Sequence, residues 1–367
     1  MTKANILLTP GPTMVPQEAL DVMAEPIFHH RTPQYRELFK EVSENLKLVF
    51  RTSQDVYTLT GSGTLAMEAS VVNFLSPGDK VIVVEAGKFG ERWSALAKRY
   101  QMNLVQLKAP YGKVVPAKEL EKALKDNPDT KAVFATLCET STGVLFDIEG
   151  MAKETSRTPA ILVVDSISGL GADRLEMDEW GVDIVVTGSQ KALMIPPGLA
   201  FIAISQKAWK LNETAKCLRY YADLGAYRKS LADWDTPWTP ALTLVLALKQ
   251  TLKMINSEGI ETIWKRCARL AELTRSQMKS IGLTLFSKDW SNAVTAINVP
   301  AGVDGKKLVS TIRDKKGYTL AGGQGDMDGK IFRICHFGIV SEEHITGVTQ
   351  VIKETIEELK AKGPVKV

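Results

Sequence analysis

The sequence has four cysteines, and none has a neighbour: Cys138, Cys217, Cys267 and Cys335 stand far apart. Without a Cys-x-x-Cys pair there is no local spacing for a zinc ribbon or an iron–sulfur cluster, and no metal site is expected. The reading is reduced thiols in a cytoplasmic protein. An excess of one charge is also missing. The 46 Lys and Arg against 42 Asp and Glu leave a net charge of only +4. There is no long basic block and no interleaving of aromatic with basic residues, so no nucleic-acid partner is expected. The opening "MTKANILLTPGP" lacks a signal-peptide core, and no apolar run is long enough to span a membrane. The final Val-Lys-Val is not a Ser-Lys-Leu-type address, and the basic "KAKGPVKV" reads as a frayed end. There is no internal repeat and no low-complexity tract. Neither GxGxxG nor a GK[ST] phosphate loop occurs, which removes the common nucleotide fingerprints.

What is present is a regular alternation. The 367 residues suffice for one large domain and a smaller one. Seven β-rich runs are expected as strands at 55–60, 80–86, 103–108, 132–137, 160–165, 183–188 and 199–205. Several are apolar on both faces, as strands covered on both sides must be. Helical patterns lie between them at 64–75, 90–101, 116–126 and 148–157. The expectation is an α/β fold, a mostly parallel seven-stranded sheet wrapped by helices. Two long helices follow at about 240–257 and 259–281. The tail then reads strand, helix, strand, helix in "NAVTAINVP", "KKLVSTIRDKKG", "GKIFRICHFG" and "SEEHITGVTQVIKETIEELKAK". The expected division is an extended Pro/Gly-rich arm at 1–15, a large domain at 16–257 and a small α+β domain at 258–367.

In α/β sheets, ligands bind beyond the carboxyl ends of the strands. Three such places carry unusual chemistry. In "TLTGSGTLAMEAS" (58–70), Gly61 and Gly63 let the backbone turn and leave N–H groups uncovered. Ser62 and Thr64 add hydroxyls, and a helix N-terminus adds partial positive charge, a phosphate cradle in kind. A plain strand-to-helix turn with a Thr cap explains the same residues. In "AILVVDSISGLG" (160–171), Asp165 ends an apolar strand. A carboxylate there wants a cationic partner, and a protonated pyridine nitrogen would serve. A helix-capping Asp is the alternative. In "VDIVVTGSQKAL" (182–193), Lys191 follows a buried strand and precedes a return to helix-forming residues. Partial desolvation would lower its pKa and make it a nucleophile toward carbonyls, whereas a solvated lysine at a helix start would do nothing. The three together, in this order and all on strand ends, fit one ligand bearing a phosphate, a pyridine nitrogen and an aldehyde: pyridoxal 5′-phosphate.

The chain resembles the class V aminotransferases of pyridoxal-phosphate fold type I, in the branch of alanine–glyoxylate and serine–glyoxylate (serine–pyruvate) aminotransferases. The resemblance covers nearly the whole chain. It is carried by "LLTPGPTMVP", "HHRTPQYRELF", "LTGSGTLAMEASVVNFLSPGDKV", "CETSTGVL", "VVDSISGLG", "GSQKALMIPPGLAF", "TPWTPALTLVLAL" and "GKIFRICHFG". The same group includes cyanobacterial sequences labelled the small subunit of a soluble hydrogenase. With no cysteine pair for nickel or an iron–sulfur cluster, that label is not taken as an activity.

The resemblance implies roles. Lys191 would hold the cofactor as an aldimine and shuttle the donor's Cα proton. Asp165 would pair with the pyridine N–H, with Ser166 and Ser168 helping to hold it. Ser62, Gly63, Thr64 and Gln190 would contact the phosphate. Phe89 would stack on the ring, unless it is a core aromatic. The Thr140 or Ser141 hydroxyl would reach the region of the 3′-oxygen, leaving Thr142 structural. Thr236 and Thr239 would reach the phosphate held by a neighbouring subunit, which implies a homodimer with shared active sites. Arg333 would clamp the substrate carboxylate, Gly11 and Pro12 would line the substrate, and Arg31 would sit near the partner's site. His336 reads equally as a site residue or as a core-edge histidine. The implied reaction moves the amino group of serine or alanine to glyoxylate or pyruvate in ping-pong fashion. No second arginine is placed beside the substrate side chain, which favours a small neutral donor. The alternatives are aspartate, ureidoglycine or 2-aminoethylphosphonate as donor, or a non-catalytic partner subunit. A cysteine desulfurase would need Cys335 to be a mobile nucleophile, and an apolar strand is a poor place for one.

Overall fold

The computed structural model describes residues 5–361. The first four residues of the arm and 362–367 of the basic tail lie outside the described residues. The seven β-rich runs form one sheet in the order Val56–Thr60, Leu199–Ile204, Ile184–Gly188, Ile161–Asp165, Ala132–Thr136, Lys80–Glu85 and Asn103–Lys108. Leu199–Ile204 runs antiparallel to both its neighbours, and the other pairings are parallel. The four strands from Ala132 to Ile204 in this sheet are buried at every position. Continuous Val, Ile, Leu and Ala runs are what a sheet covered on both faces requires.

Helices supply that cover. Gly63–Val72 is apolar nearly all round and buries Ala66, Met67, Ala69, Val71 and Val72, as an interior helix must. Lys88–Arg99 buries only a stripe containing Trp93 and Ala97. Two N-terminal helices, Gln17–Met23 and Pro33–Phe50, were not anticipated. The second has Pro33 at its first position, Thr32 accepting the Tyr35 N–H, and a stop at Arg51 with φ of 55°. The long helices Leu242–Glu258 and Ile260–Ser280 meet at Gly259.

Beyond them lie Val294–Asn298, Gly305–Lys315, Ile331–Cys335 and Glu342–Ala361, the anticipated strand, helix, strand, helix. Val294–Asn298, Ile331–Cys335 and Ala321–Gly322 form a three-stranded antiparallel sheet. A second apolar cluster gathers here, with Phe332, Ile334, Leu308, Ile345 and Ile352. The larger cluster also takes in Ile263, Cys267, Val294, Cys335 and Phe337. The arm is not wholly irregular. Ile6–Leu7 pairs parallel with Tyr318–Thr319, and Leu8 joins the second cluster. Among the described residues no helix is long and apolar enough to cross a membrane.

Trp93 is fully buried, packs with its ring 4.7 Å from that of Phe134 at a 35° tilt and donates its Nε1–H to the Ala135 carbonyl at 3.2 Å. Trp93→Ala should therefore lose about 3–5 kcal/mol of stability, read as a lowered urea midpoint.

Candidate active site

Asp165 is the last residue of its strand, in register with Thr136 and Val186 of the flanking strands. It is 2% exposed. Its Oδ1 accepts the Ile167 N–H at 2.8 Å, and among the described residues no ion pair forms on it. Burial pushes its pKa up from 3.8 to about 6, with the Glu139 charge adding to the rise and Arg92 and Lys191 opposing it. The flanking serines do not hold it. Ser168 Oγ accepts the Thr140 hydroxyl at 2.6 Å, and Ser166 Oγ is buried without a partner. The turn after the strand aims the Ile167 N–H at the carboxylate and carries both hydroxyls elsewhere.

Lys191 sits in the Ser189–Gly198 connection between two buried strands. The residues after it make turns instead of the helix start that their composition suggests. Ser189 Oγ ties the connection together, donating to the Pro196 carbonyl at 2.8 Å and accepting the Leu199 N–H at 3.2 Å. Met194 adopts φ of 56° and donates its N–H to the Lys191 carbonyl at 3.0 Å. A non-glycine residue there stores strain that the surroundings must impose. The arm docks on this connection. The Thr13 N–H donates to the Gln190 carbonyl at 3.2 Å and the Thr13 hydroxyl to the Lys191 carbonyl at 3.1 Å. Lys191 Nζ donates to the Pro10 carbonyl. Gly11, with φ of +126°, must be glycine here: a Cβ would come within 2.4 Å of Lys191 Nζ. Burial lowers the Lys191 pKa, Arg333 lowers it further, and Asp165 raises it. The amine thus feels both the carboxylate and the guanidinium.

Ser62 is the N-cap of Gly63–Val72, in extended conformation, exposed, and making no side-chain cap. Its hydroxyl and the first N–H groups of the helix remain available. A Cβ on Gly63 would meet Ile167 Cδ1 at 2.6 Å. The Thr64 hydroxyl accepts a hydrogen bond from Arg92 Nη1 at 3.2 Å. Gln190 Oε1 is buried without a partner. A Cβ on Gly188 would lie 3.2 Å from that oxygen and 3.5 Å from the Gly63 nitrogen, so the Gln190 amide and the helix start converge. Phe89 is half-buried, belongs to neither apolar cluster, and lies 4.8 Å beneath the Arg92 guanidinium. It is not a core aromatic.

Thr140 is buried, and its carbonyl accepts Arg333 Nη1 at 2.9 Å. Thr142 donates to the Glu139 carbonyl at 3.3 Å and stays structural. Arg333 is 4% exposed in the central strand of the small sheet. Its Nε and Nη2 donate to the Gly322 carbonyl at 3.0 and 2.7 Å. No carboxylate pairs with it among the described residues. Burial lowers its pKa to about 10.

Other residues lie apart. Thr236 donates to the Trp238 carbonyl at 2.8 Å, while its own carbonyl takes Arg31 Nη1 at 2.7 Å. Arg31 also pairs with Asp235 at 2.6 Å. Thr239 is exposed beside Thr60, Tyr221 and Trp238. No hydrogen bond joins Thr236, Thr239 or Arg31 to Lys191, Asp165 or Gln190. His336 is fully buried, its Nδ1 is 3.0 Å from the Asn292 carbonyl, and desolvation drops its pKa to about 3. Cys335 is buried with its thiol pushed up by desolvation, which suits no mobile nucleophile. No cluster of three or more His, Cys, Asp or Glu side chains suited to a metal occurs among the described residues.

The reading missed two site residues. Arg92 lies one turn beyond Phe89, and helical spacing could have paired them. Glu139, in "CETSTG", is fully buried and accepts from Phe89, Gly90 and Ser141; a glutamate in so short a strand gives no sequence signal of burial.

Asp165 carries a testable sign. Its folded pKa lies above its unfolded value, so the folded apoprotein binds the proton more tightly. Stability should therefore fall as pH rises from about 4 to about 6, then level off. Asp165→Asn should make the cofactor-free protein more stable at pH 7 by about 1–3 kcal/mol, with the gain vanishing near pH 4, read by urea denaturation at both pH values.

The class V aminotransferase model matches residues 6–325. The chain is 42% identical over 361 residues to a soluble hydrogenase 42 kDa subunit of Anabaena cylindrica, covering 96% of this chain and 94% of that one. It is 35% identical over 350 residues to an L-aspartate–glyoxylate aminotransferase of Paracoccus denitrificans, covering 93% and 88%. It is 34% identical over 360 residues to a serine–glyoxylate aminotransferase of Hyphomicrobium methylovorum, covering 95% and 88%. The crystal structure of an aspartate aminotransferase of subgroup IV from Thermus thermophilus superposes with a TM-score of 0.89 at 34% identity, covering 96% of this chain and 99% of that one. An uncapped helix start, a buried carboxylate, a desolvated amine and a guanidinium with no carboxylate partner among the described residues agree with those matches: the chain belongs to the class V aminotransferases, enzymes that work with pyridoxal 5′-phosphate.

Proposed function

We propose that this enzyme transfers the amino group of a small neutral amino acid, serine or alanine, to glyoxylate or pyruvate, with Lys191 as the catalytic amine. The observation that carries the reading is the trio of Asp165, Lys191 and Arg333. Each is buried or half-buried, each has its pKa moved by desolvation, and none forms an ion pair among the described residues. Perturbed groups without partners mark a site built for a ligand's charges.

The residues present fit pyridoxal phosphate. Ser62, the N–H groups from Gly63 onward and Thr64 suit a phosphate ester, and the Gln190 amide would have to offer its Nε2–H to join them. Asp165 suits a ring N–H, and Phe89 suits a ring face. When bound, the cofactor supplies an aldehyde for the amino group and a ring that withdraws electrons. The chain does the rest. Arg333 holds the donor carboxylate with its guanidinium fork. Lys191 Nζ, its pKa lowered by desolvation, takes the proton from the donor Cα and returns one to the acceptor carbon in the second half-reaction. Asp165 keeps the ring nitrogen's proton in place. Donor and acceptor use one site in turn, which makes the kinetics ping-pong.

A dicarboxylate donor is the second reading. It is favoured by the names of two relatives and by Lys88, whose side chain runs against Gly325 in the loop entering the Arg333 strand. Lys88 is already paired with Glu91 at 2.6 Å, so the small neutral donor stands first. The division into arm 1–15, large domain 16–257 and small domain 258–367 is likewise proposed, supported by the two apolar clusters. A homodimer sharing its active sites is proposed from the face around Thr236 and Thr239. There Tyr220 and Tyr221 pack on Trp238, and Leu218 and Tyr220 are 94% and 78% exposed. Apolar side chains so exposed on one face suit burial by a second copy. Four free, buried cysteines support a cytoplasmic location.

The test is a half-reaction. Protein loaded with pyridoxal phosphate should lose its visible absorption on adding L-serine or L-alanine and regain it with glyoxylate, whereas Lys191→Ala should do neither. Arg333→Ala should raise the donor concentration for half-saturation about 10–100-fold. A response to L-aspartate alone would favour the second reading.

A further inference from the structure

Glu139 ends a two-residue strand, Cys138–Glu139, paired with Val144–Leu145. Its side chain is fully buried and forms no ion pair among the described residues. Oε2 accepts the Phe89 and Gly90 N–H groups, each at 3.0 Å. Oε1 accepts the Ser141 N–H at 3.2 Å and the Ser141 hydroxyl. Ser141 Oγ in turn accepts the Lys88 N–H at 3.1 Å. Three successive N–H groups at the start of Lys88–Arg99 are thus satisfied by one carboxylate, directly or through one hydroxyl. Contact is close: a Cβ on Gly87 would come within 2.3 Å of Glu139 Cδ.

Burying a carboxylate without a cation is costly. Capping a helix does not require it, since Ser, Thr, Asp or Asn at the surface does that at lower cost. What sets this carboxylate apart is where its donors come from. One pair belongs to the turn that carries Phe89. The other belongs to Ser141, next to Thr140, whose carbonyl receives Arg333 Nη1 at 2.9 Å. Both lobes of the carboxylate are filled, so an amide in its place would set an N–H against an N–H on one side. Burial raises the Glu139 pKa against the pull of these hydrogen bonds, and when ionised its charge favours the protonated form of Arg333.

We propose that Glu139 is a positioning residue whose buried carboxylate locks the Phe89 turn to the Thr140–Ser141 shelf of Arg333. The surface that meets the cofactor ring and the clamp that meets the donor carboxylate are then held in one register. This rests on the reading of Phe89 and Arg333 given above.

The test uses the full-length protein as Glu139→Gln, Phe89→Ala, Arg333→Ala and the two doubles, with Ser141→Ala as a milder variant. Three quantities are read: the dissociation constant of pyridoxal phosphate, the visible circular dichroism of the bound cofactor, and the donor concentration for half-saturation. Glu139→Gln should weaken cofactor binding and donor saturation each on the order of ten-fold and diminish the visible dichroism. Adding it to Phe89→Ala should change the dichroism no further, and adding it to Arg333→Ala should change donor saturation no further. Ser141→Ala should shift the same quantities in the same direction by a smaller factor, and it carries the test if Glu139→Gln does not fold. Glu139→Gln or Ser141→Ala that leave all three unchanged, or effects fully additive with both partners, overturn the proposal. If Phe89→Ala and Arg333→Ala are themselves silent, the underlying reading is wrong and the proposal falls with it.

Discussion

A carboxylate at the dry end of a strand is the constraint on which the rest of the site depends. Asp165 lies where four fully buried strands and an interior helix exclude water, and the chain gives it one backbone N–H and no cation. In the proposed function a cationic ring nitrogen would meet that cost. The neighbouring groups follow the same logic. Lys191 is desolvated toward its neutral form, and Arg333 is buried against two carbonyls with no anion. The Gln190 amide oxygen is left without a partner. Each incompleteness is unfavourable alone, and the carboxylate, amine and guanidinium together match the charges that the proposed ligand and substrate would bring.

Much of this was legible. All seven strands fell within a residue or two of the expected spans, because runs such as "AILVVD" and "DIVVTG" are too apolar and β-branched for anything but a doubly covered sheet. Asp165 and Lys191 could be found because polar residues ending such runs stand out. The antiparallel placement of Leu199–Ile204 beside Val56–Thr60 was not legible, since it joins segments some 140 residues apart. The Pro33–Phe50 helix was legible in principle: Tyr35, Leu38, Phe39, Val42, Leu46, Val49 and Phe50 follow helical spacing. Glu139 was not, since its burial comes from the Phe89 turn closing over it. The serines beside Asp165 misled because adjacency in sequence says nothing of which way a hydroxyl points after a turn.

The arm shows how distant parts meet at the lysine. Ile6 and Leu7 extend a pairing with Tyr318–Thr319, and the Leu8 carbonyl takes the Cys335 N–H at 2.9 Å, two residues past Arg333. Three residues later Gly11 passes against the Lys191 side chain, and Thr13 fastens the lysine connection from outside. A short Pro/Gly-rich segment thereby links the strand of Arg333 to the loop of Lys191, which accounts for a glycine at positive φ where a Cβ would crowd the lysine side chain.

The central claim is that Lys191 is the amine on which the cofactor is held. Loading the protein with pyridoxal phosphate, reducing with borohydride and locating the modified peptide by mass spectrometry tests it most directly. The account predicts a single reduced cofactor adduct on Lys191, lost when an amino donor is added before the reductant. An adduct on another lysine, or no adduct in protein that binds the cofactor, would contradict it.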